Sequence, residues 1–291
     1  MPLLAPIQNP ELPLEALLAR VRARRSRLVA GEEDGDPATS VDWLYARLEP
    51  RARRLLRPYL DLLATRWFCQ VLRHRLAGDP LPPALQQPPL LDRGLLRVAT
   101  TAGTGSHLIA CVERELMVAA PWSAGLTETY LNQGPGGVEQ QLEIGCLAYG
   151  ARYARHRSVR RLLQQLLDMR NLLSVMRFWR WQVQNRPELG SGGTIPPRQL
   201  LRVWREADQS ALARVARHLG TLSLPIQDPR QAERELMRGI TKELGHERRN
   251  PLDIGVVLEY LWQLQLAAVR RGLQKMPTEE SDRLRAEGGL W

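Results

Sequence analysis

Residues 158–185 read SVRRLLQQLLDMRNLLSVMRFWRWQVQN, and this stretch decides the fold class. It contains no Pro and no Gly, and it is rich in Leu, Gln, Met and Arg, which are good helix formers. Its apolar residues recur at steps of three and four, which is the spacing of one helical face. The stretch therefore predicts a largely buried helix of roughly 40 Å. The apolar residues are Leu162, Leu163, Leu166, Leu167, Met169, Leu172, Leu173, Val175, Met176 and Trp179.

Two polar residues interrupt the apolar surface of this predicted helix. Asp168 and Asn171 are three positions apart, so they lie on the same side of the helix, and Arg177 follows about two and a half turns later. Two interpretations are open. Either the pair lies on the solvated edge of an amphipathic helix, or it is buried at a helix–helix contact. A buried pair must bond to backbone groups or to an arginine, because buried polar groups require partners.

The same residues carry a resemblance to a known family. Asp168, Asn171 and Arg177 form the pattern D-x-x-N-L-x-x-x-x-R between long hydrophobic flanks. This pattern resembles a helix of the rotor subunit called C or d in V-type and archaeal A-type ATPases. In that family a glycine-rich loop and a short helix that starts with Ile-Pro follow, and here the chain continues as GSGGTIPPRQL over residues 190–200. The resemblance favours the buried interpretation of the polar pair.

Two earlier stretches match the family less closely. Residues 14–30 contain an A-R-V-R run, which also occurs in the family's first helix. Residues 59–76 resemble a degenerate first copy of the central pattern. In this copy Asp61 stands in the place of Asp168, and Ala64 replaces the asparagine.

Near the C-terminus, residues 250–274 resemble the family's closing helix, which starts with Pro, Ile and a Tyr-Leu pair. Pro251 follows an asparagine that suits the N-cap, and Tyr260 lies in the helix that we expect to continue to the end of this range. The later Glu and Asn of the family pattern are replaced here by Ala267 and Arg270.

The spacing of these segments indicates a repeated chain. Asp61, Asp168 and Tyr260 follow one another at intervals of roughly 90 to 110 positions, which is consistent with three repeated units. The resemblance implies an all-α fold of three related helical bundles around a pseudo-three-fold axis, with a funnel-like shape. The predicted segments are 1–90 with the N-terminal helix, 91–195, and 196–291 with a loose C-terminal tail.

The resemblance also implies a function without chemistry of its own. We expect a non-catalytic central-stalk subunit that connects the membrane proteolipid ring to the central axle and transmits torque for ion-coupled ATP hydrolysis or synthesis. We expect no cofactor, no metal and no nucleic-acid partner. The expected location is the cytoplasmic face of the plasma membrane, where the subunit is peripheral and contacts the membrane only through its partners. The structural-motif residues are Asp168, Asn171, Arg177, Asp61, Pro251 and Tyr260.

The composition suggests a rival function. The 291 residues include 41 Lys and Arg against 31 Asp and Glu, which gives a net charge of +10. Only Lys242 and Lys275 are lysines, so the excess consists of arginine, as is typical of proteins from GC-rich genomes. This bias weakens the charge as a signal of nucleic-acid binding. A basic all-helical nucleic-acid-binding or regulatory protein nevertheless stays the alternative.

The sequence contains no recognisable constellation of catalytic or metal-binding residues. Cys69, Cys111 and Cys146 are too far apart to suggest a disulfide framework or a zinc site, and the five histidines lack metal-ligand spacing. The G-x-G at 103–105 lacks the residues that complete a phosphate loop, so it predicts a turn. The longest apolar run is far shorter than the roughly 20 residues of a membrane span.

Two further pairs leave alternatives open. Glu139 and Glu143 lie one helical turn apart, which suits an acid–base pair, but a solvated face is the favoured interpretation. Trp179 and Trp181 have the ring faces needed to stack on nucleic-acid bases, but core packing is favoured on so apolar a helix.

Turn and helix signals predict the remaining elements. We expect Ser40 to cap one helix and Pro58 to open another. Further predictions are loops at 78–92 and 132–137, a helix broken at 103–105, and helices at 138–156, 196–219 and 229–244.

Overall fold

The structure is a computed structural model, and within the residues that it describes the chain is all-α. The chain forms twelve α-helices in this part, helix accounts for 78% of these residues, and none of them belongs to a strand. The predicted fold class is therefore confirmed at this level. Asn250, Pro251 and the predicted tail lie outside the described residues. The described residues are 4, 13–31, 37–88, 90–117, 120–222, 224, 228–247 and 253–274.

One 3-10 turn at Pro121–Ser123 precedes the seventh helix. In chain order the helices are α1 (Leu14–Ala30), α2 (Pro37–Arg47), α3 (Pro50–Ala77), α4 (Pro83–Gln86), α5 (Arg93–Thr101), α6 (Gly105–Leu116), α7 (Leu126–Tyr153), α8 (Arg157–Arg180), α9 (Pro197–Glu206), α10 (Gln209–Ala216), α11 (Pro229–Glu247) and α12 (Gly255–Gln274).

Helix α8 lies at the centre of the packing. Helices α3, α7, α9, α11 and α12 all contact it. The apolar residues that the sequence places on its buried face are buried, except that Trp179 is half-buried. The helix ends several residues before the predicted end, because Gln182 adopts a positive φ of 51°. The N–H of Val183 then returns to the carbonyl of Phe178, which satisfies one free carbonyl at the helix end.

Helices α3 and α7 pack antiparallel and are joined by ion pairs. Arg73 binds Glu139 through hydrogen bonds of 2.6 and 3.0 Å, and Arg66 lies 2.9 Å from Glu143. Arg170 of α8 donates to the second oxygen of Glu143. Burial alone would raise the pKa of Glu143, but the charges of Arg66 and Arg170 hold it below its ordinary value. The expectation of a solvated face is wrong for Glu143, whose side chain is 15% exposed, whereas the hydrogen bonds of Glu139 lie at the exposed surface.

The last helix closes the fold against the first. Helix α12 contacts α1 and α2, and Arg25 of α1 lies 2.5 Å from the buried Glu259 of α12. The hydroxyl of Tyr59 on α3 donates to Gln265 of α12 at 2.8 Å. A hydrophobic cluster extends through all three predicted segments, so these segments share a core. No helix in the described part of the chain combines the length and the apolar character that a membrane span requires.

Two predicted helix starts are wrong. Ser40 lies inside α2, which begins at Pro37, and it is buried. Pro58 lies inside α3, which begins at Pro50, and its ring packs close to Gly150 of α7. A proline in a helix interior costs about 3 kcal/mol, and here tertiary packing outweighs that local cost.

The predicted loop at 132–137 is also wrong, because α7 runs through it with a kink. Gly134 leaves the helical conformation with φ of 70° and ψ of −164°. Glycine adopts such a left-handed φ without the strain of a Cβ atom, and Pro135 suits the first turn of the helical half that follows.

The region 196–219 forms two helices rather than one. Ala207 has a φ of 50° and ends α9, and the Asp208 carboxylate then caps α10 by accepting from the N–H of Ala211 at 2.9 Å. By contrast, the break predicted at 103–105 is confirmed, since it separates α5 from α6. The predicted loop at 78–92 contains the short helix α4.

We expect Glu143→Ala to lower the free energy of unfolding by about 3 kcal/mol, because it leaves the half-buried guanidinium groups of Arg66 and Arg170 without their carboxylate. Glu139→Ala is the matched control. It removes the more exposed pair with Arg73 and is expected to cost about 1 kcal/mol or less. Urea unfolding followed by circular dichroism measures both variants, and equal losses would contradict the prediction.

Candidate functional site

Asp168 is fully buried and binds the loop that follows α8. Its carboxylate accepts hydrogen bonds from the backbone N–H groups of Thr194 at 2.8 Å and Ile195 at 3.1 Å. It also accepts one from the Thr194 hydroxyl at 2.5 Å. Hydrogen bonds to a charged acceptor are roughly twice as strong as neutral ones, so this side chain fixes the end of the loop firmly.

Asn171 holds the beginning of the same loop. Its Nδ2 donates to the carbonyl of Gly190 at 2.8 Å, and its Oδ1 accepts from the N–H of Gly190 at 2.9 Å. The side-chain amide therefore satisfies both backbone groups of one residue. We call Asp168, Asn171 and the backbone of residues 190–195 the polar clamp.

The polar clamp resolves the two interpretations of the polar pair. Asp168 and Asn171 are 0% and 1% exposed, so the solvated edge is excluded and the expected burial with bonds to backbone is confirmed. The expected helix–helix contact is wrong, because the partner is a loop. The backbone of this loop presents N–H groups to the Asp168 carboxylate, and an N–H and a carbonyl to the Asn171 amide, so the two side chains can bind the loop together.

Glycines allow this loop to approach α8 closely. A Cβ atom on Gly193 would overlap Oδ1 of Asp168, so any side chain at this position would displace the carboxylate or the loop. Gly192 has a φ of 111°, a conformation that residues with a Cβ rarely adopt. The glycine-rich sequence and the buried aspartate therefore depend on each other.

His218 links the end of α10 to the polar clamp. Its Nε2 lies 3.2 Å from the Asp168 carboxylate and 2.7 Å from the Thr194 hydroxyl, and its Nδ1 lies 3.1 Å from the carbonyl of Val215. Both ring nitrogens face acceptors, which favours the doubly protonated imidazole. The hydrogen bond to Asp168 raises the pKa of His218, although burial acts in the opposite direction. Nothing in the sequence marks His218, because its partners Thr194 and Asp168 are 24 and 50 positions away.

Arg177 lies outside the polar clamp. It follows Asp168 by two and a half helical turns, so the two side chains leave α8 on opposite sides. Its charge acts instead on Glu143 of α7 and on Glu233 of α11. Burial raises the pKa of Glu233 to about 7, and the charge of Arg177 opposes that shift.

Asp61 has a different environment from Asp168, its predicted counterpart. Its ion-pair partner is Arg57 of the same helix, at 3.6 Å, and its other oxygen is buried without a hydrogen-bond partner in the described part of the chain. Burial raises the pKa of Asp61 to about 7, and Arg57 opposes the shift. Tyr260 is fully buried in the core face of α12, and Pro251 lies outside the described residues.

The two tryptophans near the end of α8 differ from each other. Trp179 packs against the core and donates from Nε1 to the carbonyl of Trp204 at 3.0 Å, so core packing is confirmed for it. Trp181 is 51% exposed, so core packing is wrong for this residue. It is the C-cap residue of α8, just beyond the last turn of the helix.

The Thr194 hydroxyl, the His218 imidazole and the Asp168 carboxylate lie close together, but not in the order of a nucleophilic triad. In such a triad the histidine joins the hydroxyl and the carboxylate through different ring nitrogens. Here Nε2 of His218 faces both Thr194 and Asp168, and Nδ1 faces a backbone carbonyl. This geometry holds the end of the loop. Among the described residues, no group of His, Cys, Asp and Glu is spaced to hold a metal ion.

Comparison with models of known protein families and with curated proteins gives no match to this chain. The class of protein is therefore defined by its own features. It is an all-α chain organised around one buried helix, and its most complete polar constellation holds a loop.

We expect Asp168→Asn to destabilise the protein by about 1–3 kcal/mol. Both carboxylate oxygens accept hydrogen bonds, so whichever oxygen the amide nitrogen replaces, its N–H groups would point at other hydrogen-bond donors. Melting temperature measured by circular dichroism should fall by several degrees. Asp61→Asn is the matched control, since the same isosteric change there removes a buried charge that has only a weak partner. We expect the control to leave the melting temperature unchanged or raised at pH 8. An unchanged melting temperature for Asp168→Asn would contradict the role assigned to the polar clamp.

We expect His218 to give the protein a specific pH dependence. Its folded-state pKa lies above its unfolded value of about 6.5, so protonation favours the folded state. The stabilising contribution is complete below that unfolded value and is lost as the pH rises through the folded-state pKa. Melting temperatures over this range should therefore fall more in the wild type than in His218→Gln. His107→Gln on α6 is the control and should follow the wild type; identical profiles for all three proteins would contradict the prediction.

Proposed function

We propose that this chain is a non-catalytic rotor subunit of a V-type or A-type ATPase or ATP synthase, of the kind called C or d. In this proposal it connects the membrane proteolipid ring to the central axle and transmits torque between them. Ion transport and ATP chemistry belong to its partner subunits. It lies on the cytoplasmic face of the plasma membrane and is held there by those partners.

The proposal rests on the hydrogen bonds between α8 and the loop at residues 190–195. Both of these segments resemble the rotor subunit in sequence. Asp168 and Asn171 belong to the pattern that resembles the rotor subunit, and their partners Gly190, Thr194 and Ile195 belong to the glycine-rich stretch that resembles the loop after it. Two separate parts of the resemblance therefore form one buried unit. A chance likeness of two helical sequences would not require the helix to bind the loop.

The contacts between segments support the proposed arrangement of three bundles. Helix α3 of the first predicted segment contacts α7 of the second, α8 of the second contacts α11 of the third, and α12 of the third contacts α1 of the first. Three units around an axis require each unit to contact both others. We therefore keep the pseudo-three-fold, funnel-like arrangement as part of the proposal.

The packing also suits an element that carries torque. Helices α3, α7 and α8 are joined through Glu143, which binds arginines from both neighbours. Buried charge pairs resist relative sliding, because separating one pair leaves uncompensated charges in the interior. A torque-transmitting spacer requires such resistance and requires no reactive side chain.

The test is recovery of partner subunits. The affinity-tagged chain is expressed in cells of its source organism, which must contain a rotary ATPase. We expect it in the membrane fraction, from which salt should release it without detergent. Mass spectrometry of the purified material should identify the ring subunit and the axle subunit together.

Two glycine variants provide matched controls. Gly193→Ala disrupts the polar clamp and should lose both partners, whereas Gly136→Ala, with open space at its Cβ position, should keep both. A wild-type chain that is monomeric, recovers neither partner and instead carries nucleic acid would overturn the proposal in favour of the rival function.

A further inference from the structure

Two arginine-rich stretches of this chain contain no acidic residue. Residues 50–60 carry four arginines, and residues 144–167 carry five, with no Asp or Glu in either range. Residues 16–31 and 169–187 also lack acidic residues and carry five and four arginines, so the fold decides which of these charges stay exposed and unpaired. The arginines of the first two ranges are Arg51, Arg53, Arg54, Arg57, Arg152, Arg155, Arg157, Arg160 and Arg161.

The fold brings the two stretches to the same end of the molecule. Along the antiparallel pair of α3 and α7, Arg73 meets Glu139, Arg66 meets Glu143, and Pro58 packs close to Gly150. Continued in the same register, the first turns of α3 lie beside the turn between α7 and α8. We call this surface the arginine corner. It comprises Arg51, Arg54, Tyr149, Arg152, Tyr153, Arg155 and Arg157.

Acidic side chains from other parts of the fold neutralise the neighbouring positive groups but not the arginine corner. Asp61 pairs with Arg57, Asp253 with His156, and Glu243 with Arg161. Arg160 is occupied by the carbonyl of Ala154. In contrast, Arg51, Arg54, Arg155 and Arg157 are exposed and have no ion-pair partner among the described residues.

These charges do not serve the stability of the helices that carry them. Arg51 lies in the first turn of α3, and Arg157 is the first residue of α8. The positive end of a helix dipole disfavours cations, and neither helix has an acidic residue in its first turn. Positive charge at these positions therefore does not stabilise the helix ends.

Aromatic rings lie at the same end of α7, and one of them contacts Arg152. Trp122, Tyr149 and Tyr153 form a ladder with ring centroids 4.8 and 4.5 Å apart, and the guanidinium of Arg152 lies 5.3 Å from the Tyr153 ring. Tyr149 is 41% exposed and Tyr153 is 54% exposed. Neighbouring rings of the ladder are tilted against each other by 40° and 45°.

We propose that the arginine corner binds anionic phospholipid headgroups at a membrane surface. Clustered arginines attract an anionic lipid surface, and tyrosines at such a surface place the ring near the acyl boundary and the hydroxyl among the headgroups. This contact adds a direct lipid attachment to the one that partner subunits provide. Nucleic acid is less favoured, because the exposed arginines lie at the starts of α3 and α8 rather than along a groove that follows a strand.

The test uses the purified full-length chain and vesicle flotation. The vesicles consist either of phosphatidylcholine alone or of an equal mixture of phosphatidylcholine and phosphatidylglycerol. We expect binding to the anionic vesicles only, strong at about 0.1 M salt and weak at about 1 M, where the screening length falls from about 10 Å to about 3 Å. Vesicles carry no protein subunit, so this result is independent of the partner recovery that tests the rotor function.

Two variants with equal loss of charge locate the binding surface. The corner variant replaces four arginines of the arginine corner with glutamine, and its binding should fall about tenfold or more. The control variant replaces four exposed arginines elsewhere, and its binding should stay within about twofold of the wild type. The corner variant carries Arg51→Gln, Arg54→Gln, Arg155→Gln and Arg157→Gln. The control variant carries Arg20→Gln, Arg97→Gln, Arg202→Gln and Arg217→Gln, which are exposed positions spread over the surface.

A milder variant with Arg155→Gln and Arg157→Gln keeps the test decisive if the fourfold corner variant does not fold; it should lose binding several-fold. Absence of binding to anionic vesicles at about 0.1 M salt would overturn the proposal. Equal losses in the corner and control variants would also overturn it, because binding would then follow net charge. Binding of a short duplex DNA that is tighter than vesicle binding and depends on the same arginines would assign the surface to nucleic acid instead.

Discussion

The buried carboxylate of Asp168 is the constraint on which the centre of this structure depends. A charge in the interior is tolerated only when donors surround it, and the loop after α8 supplies two backbone N–H groups and a hydroxyl. The loop in turn reaches these positions only because glycines allow the close approach and the left-handed backbone. His218 extends the same contact to the end of α10, so one side chain organises three parts of the chain.

On the opposite side of α8, charged side chains also hold the packing, but they do so through ion pairs between helices. There Glu143 of α7 lies between Arg66 of α3 and Arg170 of α8, so its carboxylate joins three helices. The polar clamp fixes a loop by backbone hydrogen bonds, whereas this pairing fixes helices against one another. Because both sides are held, α8 has little freedom to shift relative to its neighbours.

A rigid helical body without a built reactive centre is what the proposed rotor subunit requires. Torque passes through a spacer only if its helices keep their relative positions, and buried pairs with few alternative partners resist such movement. Exposed arginines without an ion-pair partner among the described residues include Arg51, Arg54, Arg155 and Arg157. At the end of the α3–α7 pair, Arg152 contacts the exposed ring of Tyr153.

The sequence alone determined the all-α class, the buried stripe of α8 and the need of Asp168 and Asn171 for partners, because helical periodicity and the cost of burying polar groups are local properties. It also placed the break between α5 and α6 at a glycine-rich turn. The identity of the partners was decided by tertiary structure, since the loop, His218 and the arginines that bind Glu143 are distant in sequence. Local signals failed where packing outweighed them, as at Pro58 inside α3 and at the kink of Gly134. Asp61 shows the same limit, because sequence spacing aligned it with Asp168, whereas its surroundings in the fold provide no loop to bind.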